Sequence, residues 1–568
     1  MNDAFHVVPT SYDDEGFPFW STPLTPTEDK RKALVLVPPT QAIPVIFVPG
    51  VMGSNLKLIN GIRKPDKKPG ELAWRPDAAT YKEASMNAAS RQKILDPKNT
   101  QVDKRFIVDK KKDSFLPANF PAKAAEFRGW GSVYWSSYGK VITYLNSLLN
   151  QACIYDPYAD KVLIGALFQE LMDAGIPLPY HDTLKLDRAD IEHMGEYWFP
   201  VHAVGYNWLQ SNEDSGKYLA SEIRRIKALY QKKLGGSGGC KKVILVTHSM
   251  GGLVARAAVH PAMGGAADDV LGVLHGVMPA LGAAAAYKRM RTGFEMGQID
   301  WFSLGSIKNT VGAQMVAGSN GREVTAVLGH SPGGLQLLPN KVYQPTRWLK
   351  ATLARVEETD HHIPIGDNPY ASIYREKEKW WRLIHPEWLD PADIFKNMPN
   401  TSAWDSYESA LSKAENFHDK LGHHYHPNTY SFYGKDAERY PTYATLKWRK
   451  VIVTAWNMDH PLDANRRGIN VDLMERGLAD ETRDDAKGEI CAKRNLDRLY
   501  LYLTPPVEAG DGTVPAFSGS APQYFAPSCV RAQLAVNGID HQNAYHTGHA
   551  VVMRFIAYSI CKMTKDHP

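Results

Sequence analysis

Ser249 is the residue whose surroundings in this chain most clearly indicate chemistry. It lies in VILVTHSMGGLVARAAV, residues 243–259, where an apolar run ends at a serine with small neighbours and a helix-like pattern follows. A serine hydroxyl is a weak nucleophile without a positioned base, and a strand–turn–helix corner exposes the hydroxyl to such a base. The segment fits G-x-S-x-G, except that Thr247 replaces the first glycine. We therefore predict that Ser249 is a nucleophile.

An acyl-transfer serine also needs two N–H donors for the developing oxyanion. The residue after the nucleophile supplies one donor, here Met250, and a loop after an early strand supplies the other. The segment IPVIFVPGVMGSNL contains such a strand followed by a Pro49-Gly50 turn. Val51 is thus the predicted second donor, and Met52 is the alternative.

The carboxylate that orients the base is expected downstream of the nucleophile. In enzymes whose nucleophile lies in a G-x-S-x-G turn, the chain order is serine, acid, histidine. Asp511 lies in the polar turn GDGTVPAFSG, which follows shortly after the apolar run LYLYLTP. Asp459 and Asp540 are competing acids in less favourable positions. We predict that Asp511 is the acid.

Three histidines near the C-terminus are candidates for the base, at positions 541, 546 and 549. His541 follows a strand-like run and a glycine-containing turn, where a base at the carboxyl edge of a sheet is expected. His546 and His549 begin the next helical pattern, so capping or exposure to solvent is the simpler interpretation. The separation of 30 residues from Asp511 (541 − 511 = 30) leaves room for one helix or strand. His541 is therefore the predicted base.

The elements that must position these residues are short apolar, β-branched segments alternating with helical patterns. This alternation predicts an α/β fold with a mostly parallel central sheet flanked by helices. A helical pattern covers residues 215–234, and another begins just after Ser249. The segments predicted as strands of the sheet are 43–50, 241–249 and 270–278, with 450–456 and 497–505 continuing the pattern near the C-terminus.

Two long segments do not follow this rhythm, and we predict that both are cap or lid insertions on the sheet domain. The predicted division is therefore an N-terminal part with the first core strands (1–56), a first insertion (57–200), a core part with the nucleophile (201–286), a second insertion (287–448) and a core part with the acid and histidine (449–568).

The second insertion contains two features with local meaning. Ser402 and Asp405 resemble a helix capping box, and Gly422 is a plausible end of that helix. Trp380, Trp381 and Trp388 form either the edge of a lid that enters a bilayer interface or a packed part of the insertion. Both interpretations of the tryptophans stay open at this point.

Composition excludes several classes of protein. The chain has 568 residues, 22% charged and 43% hydrophobic, with a formal net charge of +5, which indicates a globular protein and does not indicate nucleic-acid binding. We find no signal-peptide pattern and no membrane-spanning segment. The histidines of HHYH (423–426) and HH (361–362) lack a cysteine or carboxylate framework, so no metal and no other cofactor is expected.

Several motifs together resemble one superfamily of hydrolases. PVIFVPGVMGSNL, YWFPVHAVGYNWLQSNEDSGKYLASEI, VTHSMGGLVAR, GDGTVP and NGIDHQN occur in the order seen in lecithin:cholesterol acyltransferase-like α/β-hydrolases. HGVMPALGAAAAYKRMRTGFE and GGLQLLPN are more similar to bacterial type VI secretion lipase effectors related to GPI-inositol deacylases. The resemblance covers the sheet domain and little of the two insertions.

The resemblance carries implications for particular residues. Ser249, Asp511 and His541 match the family triad, and Val51 and Met250 match its oxyanion positions. Asn207 stands where relatives often carry Asp in a Y-D-W segment. That departure concerns structural hydrogen bonding and not the triad.

The predicted triad indicates a serine esterase, and the resemblance implies that it is of phospholipase A type and hydrolyses acyl esters of membrane glycerophospholipids. The resemblance further implies that the chain is an antibacterial toxin made without a signal peptide. This toxin is expected to be carried by a type VI spike component and to act in the periplasm of a target cell. A cognate immunity protein is then the expected protein partner. An acyltransferase or polyester esterase with the same triad is the alternative, and a silent lipid- or partner-binding protein is a further one.

Overall fold

The structure of the chain is a computed structural model. It describes residues 6–21, 33–78, 86–107, 115–117, 119–156, 161–178, 181–235, 238–294, 318–352, 360–362, 366–396, 398–450, 481–494 and 497–567.

A six-stranded, fully parallel sheet forms the centre of the molecule. Its strands lie in the order β2-β1-β3-β4-β5-β6, so β1 has β2 on one side and β3 on the other. The loops at the carboxyl ends of β1 and β3 are therefore neighbours at one edge of the sheet, and it is outside this edge that open α/β sheets bind ligands. In chain order the strands are β1 Val45–Val48, β2 Val201–Ala203, β3 Val243–His248, β4 Val270–Gly276, β5 Thr429–Gly434 and β6 Val530–Val536.

The two faces of this sheet are covered by different helices. Because successive side chains of a strand point to opposite faces, Ile46 packs into one buried apolar cluster and Phe47 into the other. The first cluster includes residues of α2 and α3, and the second includes residues of α1 and α7. The principal helices are α1 Trp135–Leu148, α2 Asn212–Leu234, α3 Gly251–Val259, α4 Ala284–Thr292, α5 Ala403–Leu421, α6 Ala516–Phe525 and α7 Ala550–Thr564.

These observations confirm the predicted α/β-hydrolase fold class, with one correction to the strands. The predicted strand 497–505 does form, as Asp497–Leu503, but it belongs to a second, mixed sheet and not to the central one. Its apolar alternation indicates a strand without indicating which sheet it joins. The order in the second sheet is Asp360–His362, Leu349–Thr352, Leu446–Lys450, Asp497–Leu503, Glu489–Arg494 and Glu481–Asp484.

The second predicted insertion, 287–448, also needs correction. Its residues Thr429–Gly434 form β5 of the central sheet, because this half-polar TYSFYG segment pairs with parallel strands on both sides. The connections before and after β5 both supply strands to the second sheet, which is therefore not a single insertion. Of the predicted strand 450–456, all but Lys450 lies outside the described residues.

The first predicted insertion, 57–200, runs between β1 and β2 and carries α1 together with short elements. Its three-stranded sheet has the order Leu72–Trp74, Leu56–Leu58 and Thr100–Val102. Its other pairs are Cys153–Asp156 with Lys161–Ile164 and Ile176–Leu178 with His181–Leu184, and its other helices are Ala88–Ile94, Ala122–Phe127, Ala166–Asp173 and Arg188–Met194.

Short elements complete the described chain. No helix in the described ranges is both long and apolar enough to cross a bilayer. The remaining strand pairs are His6–Val7 with Ala33–Leu34, Ser11–Tyr12 with Pro18–Phe19, and Gln41–Ala42 with Tyr197–Trp198, and the remaining short helices include Gly321–Leu328, Pro332–Leu335 and the π-helical turn Tyr370–Tyr374.

Local predictions in the region before β5 can be compared directly with the structure. The capping box of Ser402 and Asp405 is confirmed at the start of α5, and Gly422 follows its end with a φ of 48°. Trp380, Trp381 and Trp388 are all buried. Of the two interpretations of these tryptophans, the structure therefore favours packing.

Candidate active site

Ser249 occupies a sharp turn between β3 and α3. Its φ of 53° is in the left-handed region, which costs a non-glycine residue about 1–2 kcal/mol. The Ser249 N–H donates to the carbonyl of Gly276 at the end of β4, at 2.9 Å, which holds the turn against the sheet. This strained corner presents the side chain at the carboxyl edge of the sheet, as a nucleophile elbow requires.

Small residues are needed around this turn because backbone from β1 approaches it closely. A Cβ added to Gly251 would lie 2.5 Å from the carbonyl oxygen of Pro49, and one added to Gly50 would lie 2.9 Å from Nδ1 of His248. Thr247 is tolerated in place of a glycine because its hydroxyl turns to the neighbouring strand, where it lies 3.1 Å from His275 Nδ1. The departure from G-x-S-x-G therefore does not obstruct the corner.

The structure brings Ser249, His541 and Asp511 into one hydrogen-bonded chain. His541 Nε2 lies 2.8 Å from Ser249 Oγ, and His541 Nδ1 lies 2.9 Å from Asp511 Oδ2. His541 stands in the loop after β6, and its backbone N–H donates to the Asp511 carbonyl at 2.8 Å. This arrangement can remove a proton from the serine hydroxyl while the carboxylate holds the imidazole in one tautomer.

Asp511 is held in place by its own turn. Its Oδ1 accepts N–H hydrogen bonds from Thr513 at 3.0 Å and Val514 at 2.7 Å, which leaves Oδ2 for His541. The side chain is 1% exposed. Burial strengthens the interaction of this carboxylate with an imidazolium formed during reaction.

The predicted oxyanion donors, Val51 and Met250, lie at the ends of β1 and β3. Neither N–H donates a hydrogen bond to any residue that the structure describes. Met250 is the N-cap residue of α3, where the helix dipole favours negative charge. The alternative donor, Met52, has a φ of 61°, and its carbonyl accepts the indole N–H of Trp74 at 2.6 Å. The oxyanion assignment stays a prediction.

The competing residues make other contacts. His546 Nδ1 accepts the N–H of Gly548 at 3.1 Å, and its ring packs against that of His549 with 5.9 Å between centroids. Asp540 accepts N–H groups from Gln542 and Asn543, and neither this acid nor these two histidines is hydrogen-bonded to Ser249 or His541 among the described contacts. Asp459 lies outside the described residues.

The histidine-rich segment 423–426 packs against neighbouring groups. His423 stacks on Phe525 with 4.1 Å between ring centroids, and His426 Nε2 lies 3.4 Å from the Ala267 carbonyl. Within the described part of the chain, no group of three or more His, Cys, Asp or Glu side chains is placed to hold a metal ion. Asn207 is buried and donates to Thr100, which is the structural hydrogen bonding expected of it.

Two residues of the site were not identified from sequence. His248 directly precedes the nucleophile, and Tyr138 lies in α1, within the first predicted insertion. Tyr138 Oη lies 2.8 Å from His248 Nδ1, and His248 Nε2 lies 2.8 Å from the carbonyl oxygen of His541. The histidine in THSMGG is a local signal for the first, but nothing in the sequence around Tyr138 indicates this contact.

The chain is similar to known proteins in its sequence around the nucleophile turn and in its overall structure. Residues 209–282, which contain α2, β3, the elbow and β4, match a PGAP1-like alpha/beta domain. No curated protein matches the chain significantly in sequence. A chain in the crystal structure of the Tle4–Tli4 complex is similar with a TM-score of 0.70 and 27% sequence identity, over 92% of this chain and 99% of that one.

The two similarities concern different parts of the chain. The first covers the elbow and its flanking elements, and the second extends over nearly the whole length, including both regions predicted as insertions. The resemblance predicted from sequence is confirmed by both. Together with the parallel sheet and the strained serine turn, they show that the chain has an α/β-hydrolase fold, in which residues 209–282 are similar to a PGAP1-like alpha/beta domain.

Proposed function

We propose that the chain is a phospholipase A-type serine esterase and that it acts as an antibacterial toxin. The observation that carries the proposal is the hydrogen-bonded chain from Ser249 through His541 to Asp511, at 2.8 and 2.9 Å. These residues stand at the carboxyl edge of the sheet, where the backbone N–H groups of Val51 and Met250 donate to no described residue. The lipid substrate class comes from the resemblance, and the acyl-transfer chemistry comes from the residues.

The reaction begins with attack by Ser249 Oγ on the carbonyl carbon of an acyl ester. His541 Nε2 takes the serine proton, and Asp511 stabilises the imidazolium that forms. The N–H groups of Val51 and Met250 bind the negative oxygen of the tetrahedral intermediate.

Collapse of the intermediate breaks the bond to the lysophospholipid oxygen, which receives the proton from His541. Water, activated by the same histidine, then attacks the acyl-enzyme and releases a fatty acid and free Ser249. The balance is one ester and one water consumed for one alcohol and one acid.

A lipid assay tests this activity directly. The full chain is added to vesicles of phosphatidylethanolamine and phosphatidylglycerol, and the products are measured by mass spectrometry. We expect equal amounts of lysophospholipid and free fatty acid, and neither with Ser249→Ala. Acyl transfer to an added alcohol in place of fatty acid would favour an acyltransferase, and no turnover together with an unlabelled Ser249 after fluorophosphonate treatment would favour a silent binding protein.

We propose further that the toxin is delivered by a type VI spike component to the periplasm of a target cell and is neutralised by a cognate immunity protein. The similarity to a chain solved in the Tle4–Tli4 complex supports a dedicated protein partner. Expression in a bacterium with and without an added periplasmic signal tests the place of action. Growth is expected to fail mainly in the periplasmic case and to recover with Ser249→Ala. Equal toxicity from the cytoplasm would contradict this assignment and leave the esterase activity untouched.

A further inference from the structure

A network of three hydrogen bonds connects separate parts of the site. His248 Nε2 lies 2.8 Å from the carbonyl oxygen of His541, and a carbonyl oxygen only accepts, so Nε2 carries the hydrogen. In the neutral imidazole Nδ1 is then an acceptor, and it receives the hydroxyl hydrogen of Tyr138 at 2.8 Å. The Tyr138 oxygen in turn accepts the N–H of Gly50 at 3.3 Å. The donor and the acceptor are therefore defined in each of these three hydrogen bonds.

The surroundings of His248 and Tyr138 keep this hydrogen-bond network in one protonation state. His248 is 5% exposed, and its ring makes edge contacts with those of Tyr138 and Tyr545 at 5.6 and 5.9 Å between centroids. Burial, with a smaller contribution from nearby His541, lowers the pKa of His248 to about 3, and burial raises the pKa of Tyr138. Both groups thus stay neutral, so the donors and acceptors do not exchange roles near neutral pH.

The same contacts exclude His248 as the base. One of its ring nitrogens is bound to the His541 carbonyl and the other to the Tyr138 hydroxyl, so neither is available to Ser249. The role left to this histidine is to hold other groups. It holds the base in particular, because the backbone of His541 is bound on both sides, through its N–H to Asp511 and through its carbonyl to His248.

We propose that His248 and Tyr138 are positioning residues that set the oxyanion loop and the base relative to Ser249. The inference rests on the proposed esterase function. We call the three hydrogen bonds from Gly50 through Tyr138 and His248 to His541 the relay. Gly50 directly precedes Val51, and His248 directly precedes Ser249. Because His541 is the base, the relay joins the loops after β1, β3 and β6. Breaking the relay frees the loop of Val51 and the backbone of His541 to move while every reacting group remains present.

The variant that tests the relay most cleanly is Tyr138→Phe. It removes one hydroxyl, leaves His248 Nδ1 without its donor and Gly50 N–H without its acceptor, and keeps the ring that packs on Phe47 at 5.1 Å. The matched control is Tyr545→Phe, because the Tyr545 hydroxyl is also buried beside His248 but donates to the Thr247 carbonyl, outside the relay. Tyr206→Phe is a second control, since the buried Tyr206 hydroxyl has no hydrogen-bond partner among the described residues.

The full chain is first treated with a fluorophosphonate probe, and labelling of Ser249 is followed by mass spectrometry. Absence of labelling in the wild type would overturn the proposed function, and the relay with it. With labelling present, kcat and KM are measured on a soluble p-nitrophenyl ester. For Tyr138→Phe we expect kcat to fall on the order of 10-fold with KM nearly unchanged, because misplacement of reacting groups by about 1 Å costs up to roughly 100-fold.

The controls separate positioning from general stability. Tyr545→Phe is expected to lower the melting temperature about as much as Tyr138→Phe while it retains wild-type kcat. His248→Gln, which keeps an N–H donor for the His541 carbonyl, is expected to retain several-fold more activity than His248→Leu. Wild-type kcat in Tyr138→Phe, or an equal loss of kcat in Tyr545→Phe, would overturn the relay and leave the esterase assignment standing. If the His248 variants fail to fold, the comparison of the two tyrosine variants still decides.

Discussion

His541 Nε2 lies 2.8 Å from Ser249 Oγ, although 292 residues separate the two in the chain. The contact is made because β3 and β6 end at the same edge of one parallel sheet, with Ser249 in the turn after β3 and His541 in the loop after β6. Parallel strands bring their carboxyl ends together regardless of the sequence between them. The regions before and after β5 can therefore be long without disturbing this distance.

The first prediction concerns Ser249 and His541 as a unit. Ser249→Ala and His541→Ala are each expected to lower kcat by roughly 10⁴–10⁶-fold, and the double variant is expected to be little worse than either, because each residue is useless without the other. The measurement is single-turnover and steady-state hydrolysis of a soluble ester, with folding checked by thermal melts. Multiplicative losses in the double variant would show that the two act independently.

The second prediction concerns Asp511→Asn. Two N–H groups bind Oδ1 of Asp511, so the new amide will direct its oxygen to them and its NH₂ to His541 Nδ1. The NH₂ group can donate only to an unprotonated Nδ1, so the imidazole hydrogen moves to Nε2. A protonated Nε2 cannot accept the serine proton. We expect kcat to fall by about 10⁴-fold with little change in melting temperature. Near-normal turnover would mean that another acid orients the histidine.

The third prediction distinguishes the neighbouring histidines. His546 is exposed and hydrogen-bonded within its own turn, so His546→Ala and His549→Ala should change kcat on a soluble ester by less than about 3-fold. His541→Ala, measured in parallel, is the positive control for loss of the base. An inactive His546→Ala beside an active His541→Ala would reverse the assignment.

Local backbone signals explain why Ser249, Asp511 and His541 could be proposed from sequence. Each lies in or after a glycine-containing turn that follows an apolar run, and such turns are readable over about ten residues. The contact of Tyr138 with His248 joins residues 110 positions apart. No pattern around Tyr138 distinguishes a tyrosine that reaches the elbow from one that packs in the core, so this partner required the structure.

Sheet membership shows the same limit. The sequence predicts that Asp497–Leu503 joins the central sheet and that Thr429–Gly434 belongs to an insertion, and the structure differs at both segments. Alternating apolar residues indicate that a strand forms, but its neighbours are set by contacts across the fold. A segment with serine, tyrosines and glycine becomes a buried central strand because parallel partners on both sides satisfy its backbone.

The fourth prediction concerns Trp380, which is 1% exposed and makes edge contacts with Trp381 and Trp448. Trp380→Ala should act as a core truncation that lowers stability by about 3–5 kcal/mol, seen as a lower melting temperature, without weakening vesicle binding at temperatures where the variant is folded. Tyr524→Ala is the matched control, since this aromatic side chain is 79% exposed and its removal should leave the melting temperature unchanged. Loss of vesicle binding by a folded Trp380→Ala would restore the lid-edge interpretation.

The last prediction is that acid destabilises the fold before its carboxylates are protonated. Burial lowers the pKa of His248 and His275 to about 3 and that of His418 to about 4, against 6.5 when unfolded. Between these values the unfolded chain binds up to three more protons at these three histidines than the native one, so the stability that they contribute above pH 6.5 is lost as pH falls towards 4. Each proton contributes about 1.4 kcal/mol per pH unit, or about 4 kcal/mol per pH unit for three protons.

Melting temperatures measured from pH 7.5 to 4 should therefore decline steeply below pH 6.5. The slope should be shallower in His418→Gln, which keeps an N–H donor for the Gln336 carbonyl bound by His418 at 2.9 Å. A variant curve parallel to that of the wild type would contradict the assignment.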